Sequence, residues 1–140
     1  MSRIFWDTNL FIYLIEDKGS LAAQVVALRQ RMLERGDHLF TSSLTLGEVL
    51  VRPTELGDED LCAQYAQALS SGATLLPFGD DAARKYAVIR RDRTIRPPDA
   101  IQLACAAQAE IDLFITNDDR LSKKVVAGIH FVTSLKNAPL

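Results

Sequence analysis

Cysteine and histidine are scarce in this chain of 140 residues, which has two of each. Cys62 and Cys105 stand far apart, with no Cys-x-x-Cys pair, inside segments of helical periodicity. They read as small buried hydrophobes rather than as zinc ligands or a redox couple. His38 and His130 fall at or within expected strands, and neither has a second histidine at ligand spacing, which excludes the usual zinc sites. No apolar run approaches a membrane span, the longest being Leu10 to Ile15. Asp7 interrupts the N-terminal apolar stretch, so no basic-then-apolar leader is present and the expected location is the cytoplasm. Low-complexity tracts, internal repeats and a Gly-rich phosphate loop are also missing. Nor is there an excess of positive charge. Sixteen Lys and Arg against 18 Asp and Glu give a net charge of −2, which weighs against a general coat for nucleic acid.

What is present is an ordinary globular composition, 48% hydrophobic and 24% charged, of a length that suits one domain over residues 1–140. Short apolar runs at Arg3–Trp6, His38–Thr41, Thr74–Phe78, Leu113–Thr116 and Ile129–Val132 read as strands. Between them lie helical patterns. A buried helix is expected over Leu10–Ile15. An amphipathic one opens at Ser20, carries Leu21, Val25, Leu28 and Met32 on one face, and ends at Gly36. A short one passes through Glu48 to Val51 and is stopped by Pro53. Others start at Asp58, at Asp80 and at Asp99, and a brief one comes after Asp119. Strict alternation of strand and helix predicts an α/β fold: five parallel strands flanked by helices on both faces.

Five acids stand at the ends of apolar segments: Asp7, Glu48, Asp99, Asp118 and Asp119. Each has a plain structural reading. Asp7 caps a helix, Thr45-x-x-Glu48 and Asp99-x-x-Gln102 fit capping boxes, and Asp118 or Asp119 caps the helix expected after the fourth strand. As a set they say more. Asp7 and Asp118 end strands of one parallel sheet, so they lie on the same edge. Asp99 opens the helix that leads back into the Asp118 strand, which puts it on that edge too. Four carboxylates about 6 Å apart repel by roughly 15 to 20 kcal/mol at an effective dielectric near 20. A marginally stable domain needs protons or cations to hold them. Oxygen ligands select hard cations, so Mg²⁺ is expected, with Mn²⁺ as the alternative. Two such ions about 4 Å apart suit the attacking and leaving oxygens of a phosphodiester.

Four segments, in order, then carry a family resemblance: Phe5-Trp6-Asp7-Thr8-Asn9-Leu10-Phe11-Ile12, Ser43-Leu44-Thr45-Leu46-Gly47-Glu48-Val49, Pro98-Asp99-Ala100-Ile101-Gln102-Leu103-Ala104 and Phe114-Ile115-Thr116-Asn117-Asp118. The chain resembles the PIN-domain nucleases, and within them the VapC-type toxins of toxin–antitoxin pairs. The resemblance implies a metal site at the strand C-terminal ends, with Asp7, Glu48, Asp99 and Asp118 as an acidic quartet. Asp119 falls where some members keep a further acid. It implies a Mg²⁺-dependent endoribonuclease that cuts single-stranded RNA, usually tRNA or a ribosomal RNA loop. It also implies a homodimer and a cognate antitoxin through which alone DNA is met.

In this reading Asp7 and Asp118 bind metal with Asp99 close by, and Glu48 orients or deprotonates the attacking water. Thr8, Asn9, Thr116 and Asn117 offer neutral hydrogen bonds to water, phosphate or carboxylates, or serve as ordinary turn and cap residues. Arg90, Arg91, Arg93 and Arg96 read either as a phosphate track toward Asp99 or as a solvated, helix-end or antitoxin-facing loop. The competing function is a non-catalytic binding module within a DNA-binding repressor complex. A phosphatase fits less well, because the residue two after Asp7 is Asn9 and not a second acid.

Overall fold

The computed structural model describes residues 1–16 and 19–140. Its elements run β1 (Arg3–Trp6), α1 (Thr8–Ile15), α2 (Ser20–Arg35), β2 (His38–Ser42), α3 (Ser43–Glu55), α4 (Glu59–Gly72), β3 (Thr74–Leu76), α5 (Asp80–Ile89), α6 (Pro97–Gln108), β4 (Leu113–Thr116) and β5 (Phe131–Ser134). The five strands form one parallel sheet in the order β3-β2-β1-β4-β5. The alternation of strand and helix therefore yields the expected α/β architecture.

β1 and β4, in the middle of the sheet, are buried over all but Arg3 because both sides are covered. In β1, Ile4 and Trp6 point to one side and Phe5 to the other, as the period-2 geometry of a strand requires. Ile4 and Trp6 join Leu10, Phe11, Val25, Leu28, Met32, Val49 and Leu69 in a core beneath α1, α2, α3 and α4. Phe5 joins Phe114, Ala82, Ala100, Leu103 and Ala107 in a second core beneath α5 and α6. The rings of Phe5 and Phe114 stack 4.8 Å apart across the β1–β4 pair.

Topology decides where the site sits. From β1 the chain moves outward through β2 to β3, then crosses to β4 on the other flank of β1. The crevice between the C-terminal ends of β1 and β4 is thus the switch point, where open α/β sheets bind ligands.

Three local expectations are corrected. Pro53 does not stop its helix. It lies buried within α3, which continues to Glu55. Proline removes only its own N–H, one turn before the end. The stop comes from Gly57 at φ +67°, where the Asp58 N–H returns to the Pro53 carbonyl at 3.0 Å. No helix comes after Asp119; the chain there makes turns, with the Leu121 and Ser122 N–H groups bonded to the Asp118 carbonyl. The last strand is Phe131–Ser134 rather than Ile129–Val132, because β4 pairs Leu113 with Phe131 and Thr116 with Ser134. Ile129 is buried outside the strand. Two smaller shifts concern β3, which ends before Pro77, and α6, which begins at Pro97.

Candidate active site

Asp7 directly succeeds β1 and is the N-cap of α1. Its extended backbone (φ −65°, ψ 158°) turns the carboxylate back, so that Oδ1 accepts from the Thr8 N–H at 2.9 Å. The capping role and a place in the site are therefore held by one carboxylate. Oδ2 accepts from the Thr116 hydroxyl at the end of β4, at 2.8 Å. Gln102 Nε2 lies 3.4 Å from Oδ1. Asp7 is only 6% exposed and meets no cationic side chain among the described residues. Burial is the main cause that pushes its carboxyl up from 3.8 to about 6, against the hydrogen bonds from Thr116 and Thr8 and with help from the charges of Asp99 and Glu48.

Asp7, Glu48, Asp99 and Asp118 line one cavity of about 240 Å³, together with Thr8, Asn9, Arg96, Pro98 and Gln102. Glu48 is the sixth residue of α3, in its second turn, and its Oε1 accepts from the Thr8 hydroxyl at 2.6 Å. Asp99 is the third residue of α6, where the helix dipole favours an acid. Asp118 lies two residues beyond β4. Neither capping box forms. Thr45 and Asp99 are already inside their helices, and the N-caps Ser42 and Arg96 make no side-chain cap bond. Asp118 closes a local turn instead, accepting from the Arg120 N–H at 3.0 Å.

Beneath the carboxylates lies a buried hydroxyl and amide network that the sequence pattern does not announce. Gln102 Nε2 donates to Thr8 Oγ1 at 2.9 Å and to Thr45 Oγ1 at 2.8 Å. The Ser42 hydroxyl donates to Gln102 Oε1. Thr41 Oγ1 lies 2.9 Å from the Trp6 carbonyl and 2.7 Å from Thr45 Oγ1. A hydroxyl has one proton. With that of Thr41 on the carbonyl, Thr45 donates to Thr41, and Gln102 supplies both amide protons to Thr8 and Thr45. Every donor of this network then has an acceptor, and the Thr8 proton is left for Glu48. The sequence held a faint sign of this: Gln102 is the one polar residue amid Ala100–Ala107, all apolar and mostly buried.

The other expected residues divide. Asn9 lines the cavity and its Oδ1 accepts from the Asn117 N–H at 3.3 Å, tying α1 to the β4 end. Thr116 is buried under Asp7 rather than open to the cavity. Asn117 turns away and donates to the Tyr13 hydroxyl at 2.9 Å. Asp119 is exposed and outside the cavity lining. Arg90 closes its own loop by donating to the Ile95 carbonyl at 2.6 Å, and Arg91 donates to the Val88 carbonyl at 3.3 Å. Arg93 is exposed. Of the four arginines only Arg96 reaches the acids, 3.3 Å from Asp99 Oδ2 and 3.6 Å from Asp118 Oδ2. Arg120, not singled out by sequence, grips Asp118 with Nε to Oδ1 at 3.2 Å and Nη2 to Oδ2 at 2.9 Å. That contact, led by the hydrogen bonding, holds the Asp118 carboxyl below the usual range.

The donor set is all oxygen, as a hard cation requires. Asp7 is the best evidence that a cation fits: a buried carboxylate with no positive partner among the described residues, whose charge is disfavoured as it stands. Among the described residues no three acidic, histidine or cysteine side chains form a ready-made cage. Two of the acids are turned onto arginines and one onto a threonine.

An acidic pocket at the switch point of a five-stranded parallel sheet defines a class of α/β proteins, and comparison with known proteins narrows it. Residues 4–126 match the PIN domain. The chain belongs to the PIN-domain family, whose members are generally divalent-metal-dependent nucleases. No curated protein matches its sequence. Among solved structures it is similar to VapBC2 from Rickettsia felis bound to a promoter DNA fragment, with a TM-score of 0.74, 12% identity, and coverage of 94% of this chain and 98% of that one. It is also similar to DNA-bound VapBC from Salmonella typhimurium, with a TM-score of 0.71, 19% identity and coverage of 96% and 99%. VapBC-5 from Mycobacterium tuberculosis gives a TM-score of 0.60, 24% identity and coverage of 95% and 99%. At these identities the likeness is one of fold. No helix among the described residues is long and apolar enough to cross a membrane.

Proposed function

We propose that this chain is a VapC-type toxin, an endoribonuclease that hydrolyses RNA phosphodiesters with Mg²⁺ or Mn²⁺, its substrate a tRNA or a ribosomal RNA loop. The observation that carries the reading is Asp7: buried at the switch point, with no cationic side chain on it among the described residues, and facing one cavity with Glu48, Asp99 and Asp118. Asp7, Asp99 and Asp118 are the residues that would hold the metal, with Glu48 beside them and Asp119 in reach only through water. A bound divalent cation supplies charge stabilisation at phosphorus and makes the attacking water more acidic.

The remaining work falls to side chains. Glu48, fixed through the Thr8 hydroxyl, accepts the proton of the attacking water, and cleavage leaves a 3′-hydroxyl and a 5′-phosphate. The Thr116 hydroxyl and the Thr8 N–H keep Asp7 aimed. Asn9 lines the same cavity; one of its amide protons is directed at Thr116 Oγ1, and the other can meet a phosphate oxygen. Arg96 is the phosphate-facing arginine, while Arg90 and Arg91 serve the loop that presents it and Arg93 stands free to contact RNA farther out.

The similarity to VapBC complexes supports an antitoxin partner; the same reading includes a homodimer, a cytoplasmic site of action and DNA met through the antitoxin alone. The deciding assay is cleavage of single-stranded RNA by purified protein with Mg²⁺, comparing wild type with Asp7→Asn. Metal-dependent cleavage lost by at least about a hundredfold in the variant is expected. Undiminished turnover overturns the site. No cleavage by either protein favours the non-catalytic binding module.

A further inference from the structure

The four carboxylates of the pocket are not treated alike. Among the described residues Asp7 and Glu48 accept only from neutral groups, Thr8 and Thr116. Asp99 and Asp118 are held by arginines. Arg96 Nε is 3.3 Å from Asp99 Oδ2 and its Nη2 is 3.6 Å from Asp118 Oδ2, so one guanidinium spans acids 19 residues apart. Arg120 places its fork on the same Asp118, with one contact to each oxygen. Both arginines are more than half exposed, at 60% and 59%. Their ion pairs are therefore exchangeable rather than locked by packing.

We propose that Arg96 and Arg120 are resident counter-ions that compete with the metal for Asp99 and Asp118 and hold the pocket to one divalent ion. The inference rests on the metal-binding reading under Proposed function. A guanidinium keeps its charge at every working pH. Two of them offset half the charge of four carboxylates and leave a deficit that one divalent ion fills. The first ion moves one arginine off its carboxylate, and a second would have to evict the other as well, because both acids are already engaged. An arginine displaced by the first ion presents an open planar fork at the cavity mouth, the geometry that pairs with phosphate oxygens. Metal binding and RNA binding are then coupled, and the coupling works equally in both directions.

The test is Mn²⁺ binding to the intact chain, read by electron paramagnetic resonance of free Mn²⁺. Wild type is expected to bind one ion. Arg120→Gln and Arg96→Gln are each expected to bind it about tenfold more tightly, and the double variant to take up a second ion. Arg120→Lys, which keeps the charge and loses the fork, is expected between wild type and Arg120→Gln. A second readout is the affinity for uncleaved single-stranded RNA. Mn²⁺ should strengthen it in wild type and lose that effect in the double variant. One ion at unchanged affinity in every variant overturns the role of the arginines alone. No Mn²⁺ bound by wild type overturns the metal reading and this proposal with it.

Discussion

The Thr116 hydroxyl donates to Asp7 Oδ2 at 2.8 Å, joining the ends of β4 and β1 across 109 residues of sequence. Its oxygen also accepts from the Asp118 N–H at 3.1 Å. One buried threonine thus fixes the positions of two acids. Thr116→Val keeps the shape and removes both bonds, together with the longer one that Asn9 Nδ2 donates at 3.5 Å. Urea unfolding is expected to show a loss of about 1–3 kcal/mol, the usual cost of unpairing buried polar groups. Thr116→Ser should recover most of it.

Asp7 makes the stability of the metal-free protein depend on pH in an unusual direction. Its carboxyl titrates near 6 in the folded chain against an ordinary 3.8. The folded state therefore binds this proton more tightly than the unfolded state. The contribution is favourable at low pH and is lost as pH rises from about 4 through 6. The total is about 3 kcal/mol. Other carboxylates titrate in the same window, and Asp118 is shifted the opposite way, so the diagnostic quantity is a difference. In EDTA, the stability of wild type relative to Asp7→Asn should fall between about pH 4 and pH 7. A flat difference would contradict the burial assigned to Asp7.

Metal addition reports on the same group. At about pH 7 and in the proposed site, Mg²⁺ well above its dissociation constant is expected to raise the wild-type midpoint of unfolding, since a ligand bound only by the folded state stabilises it. At a roughly hundredfold excess the gain is about 2.7 kcal/mol. In Asp7→Asn the gain should vanish or require far higher concentrations. Removal with EDTA should restore the starting midpoint.

Thr8 is expected to matter to activity more than to folding. Its hydroxyl links Gln102 to Glu48. Thr8→Val frees the Glu48 carboxylate from its fixed direction. Groups that orient a catalytic or metal-binding residue commonly contribute about ten- to a hundredfold. In the RNA cleavage assay kcat should fall by about that factor, with Thr8→Ser close to wild type.

Gly128 tests the packing of the loop before β5. Its φ is +96°, and an added Cβ would stand 2.9 Å from the Ala107 carbonyl oxygen. Gly128→Ala therefore forces α6 and this loop apart as well as straining the backbone. A loss of about 1–3 kcal/mol is expected on thermal or urea unfolding. Gly47→Ala, where a Cβ meets nothing within 4 Å, is the matched control and should be neutral or slightly stabilising.

Much of this was legible in the chain itself. Apolar runs of strand length alternating with helical stripes led to five parallel strands, and single acids at the ends of those runs pointed to one sheet edge. Both signals are local, since side-chain period and segment ends are written in neighbouring residues. What the tertiary structure decided depends on partners far apart in sequence. The register of β5 is set by β4 beside it, not by where its own apolar residues begin. Gln102 looked like the end of a capping box, but it is a buried amide serving three hydroxyls from two other segments. Arg96 reads from sequence as part of a phosphate track or a solvated loop and Arg120 carries no signal there, yet both rest on Asp118. A hydrogen bond or ion pair between distant residues leaves no period in the sequence. Residue type says only what a side chain can do; the crossing from β3 to β4 settles what it meets.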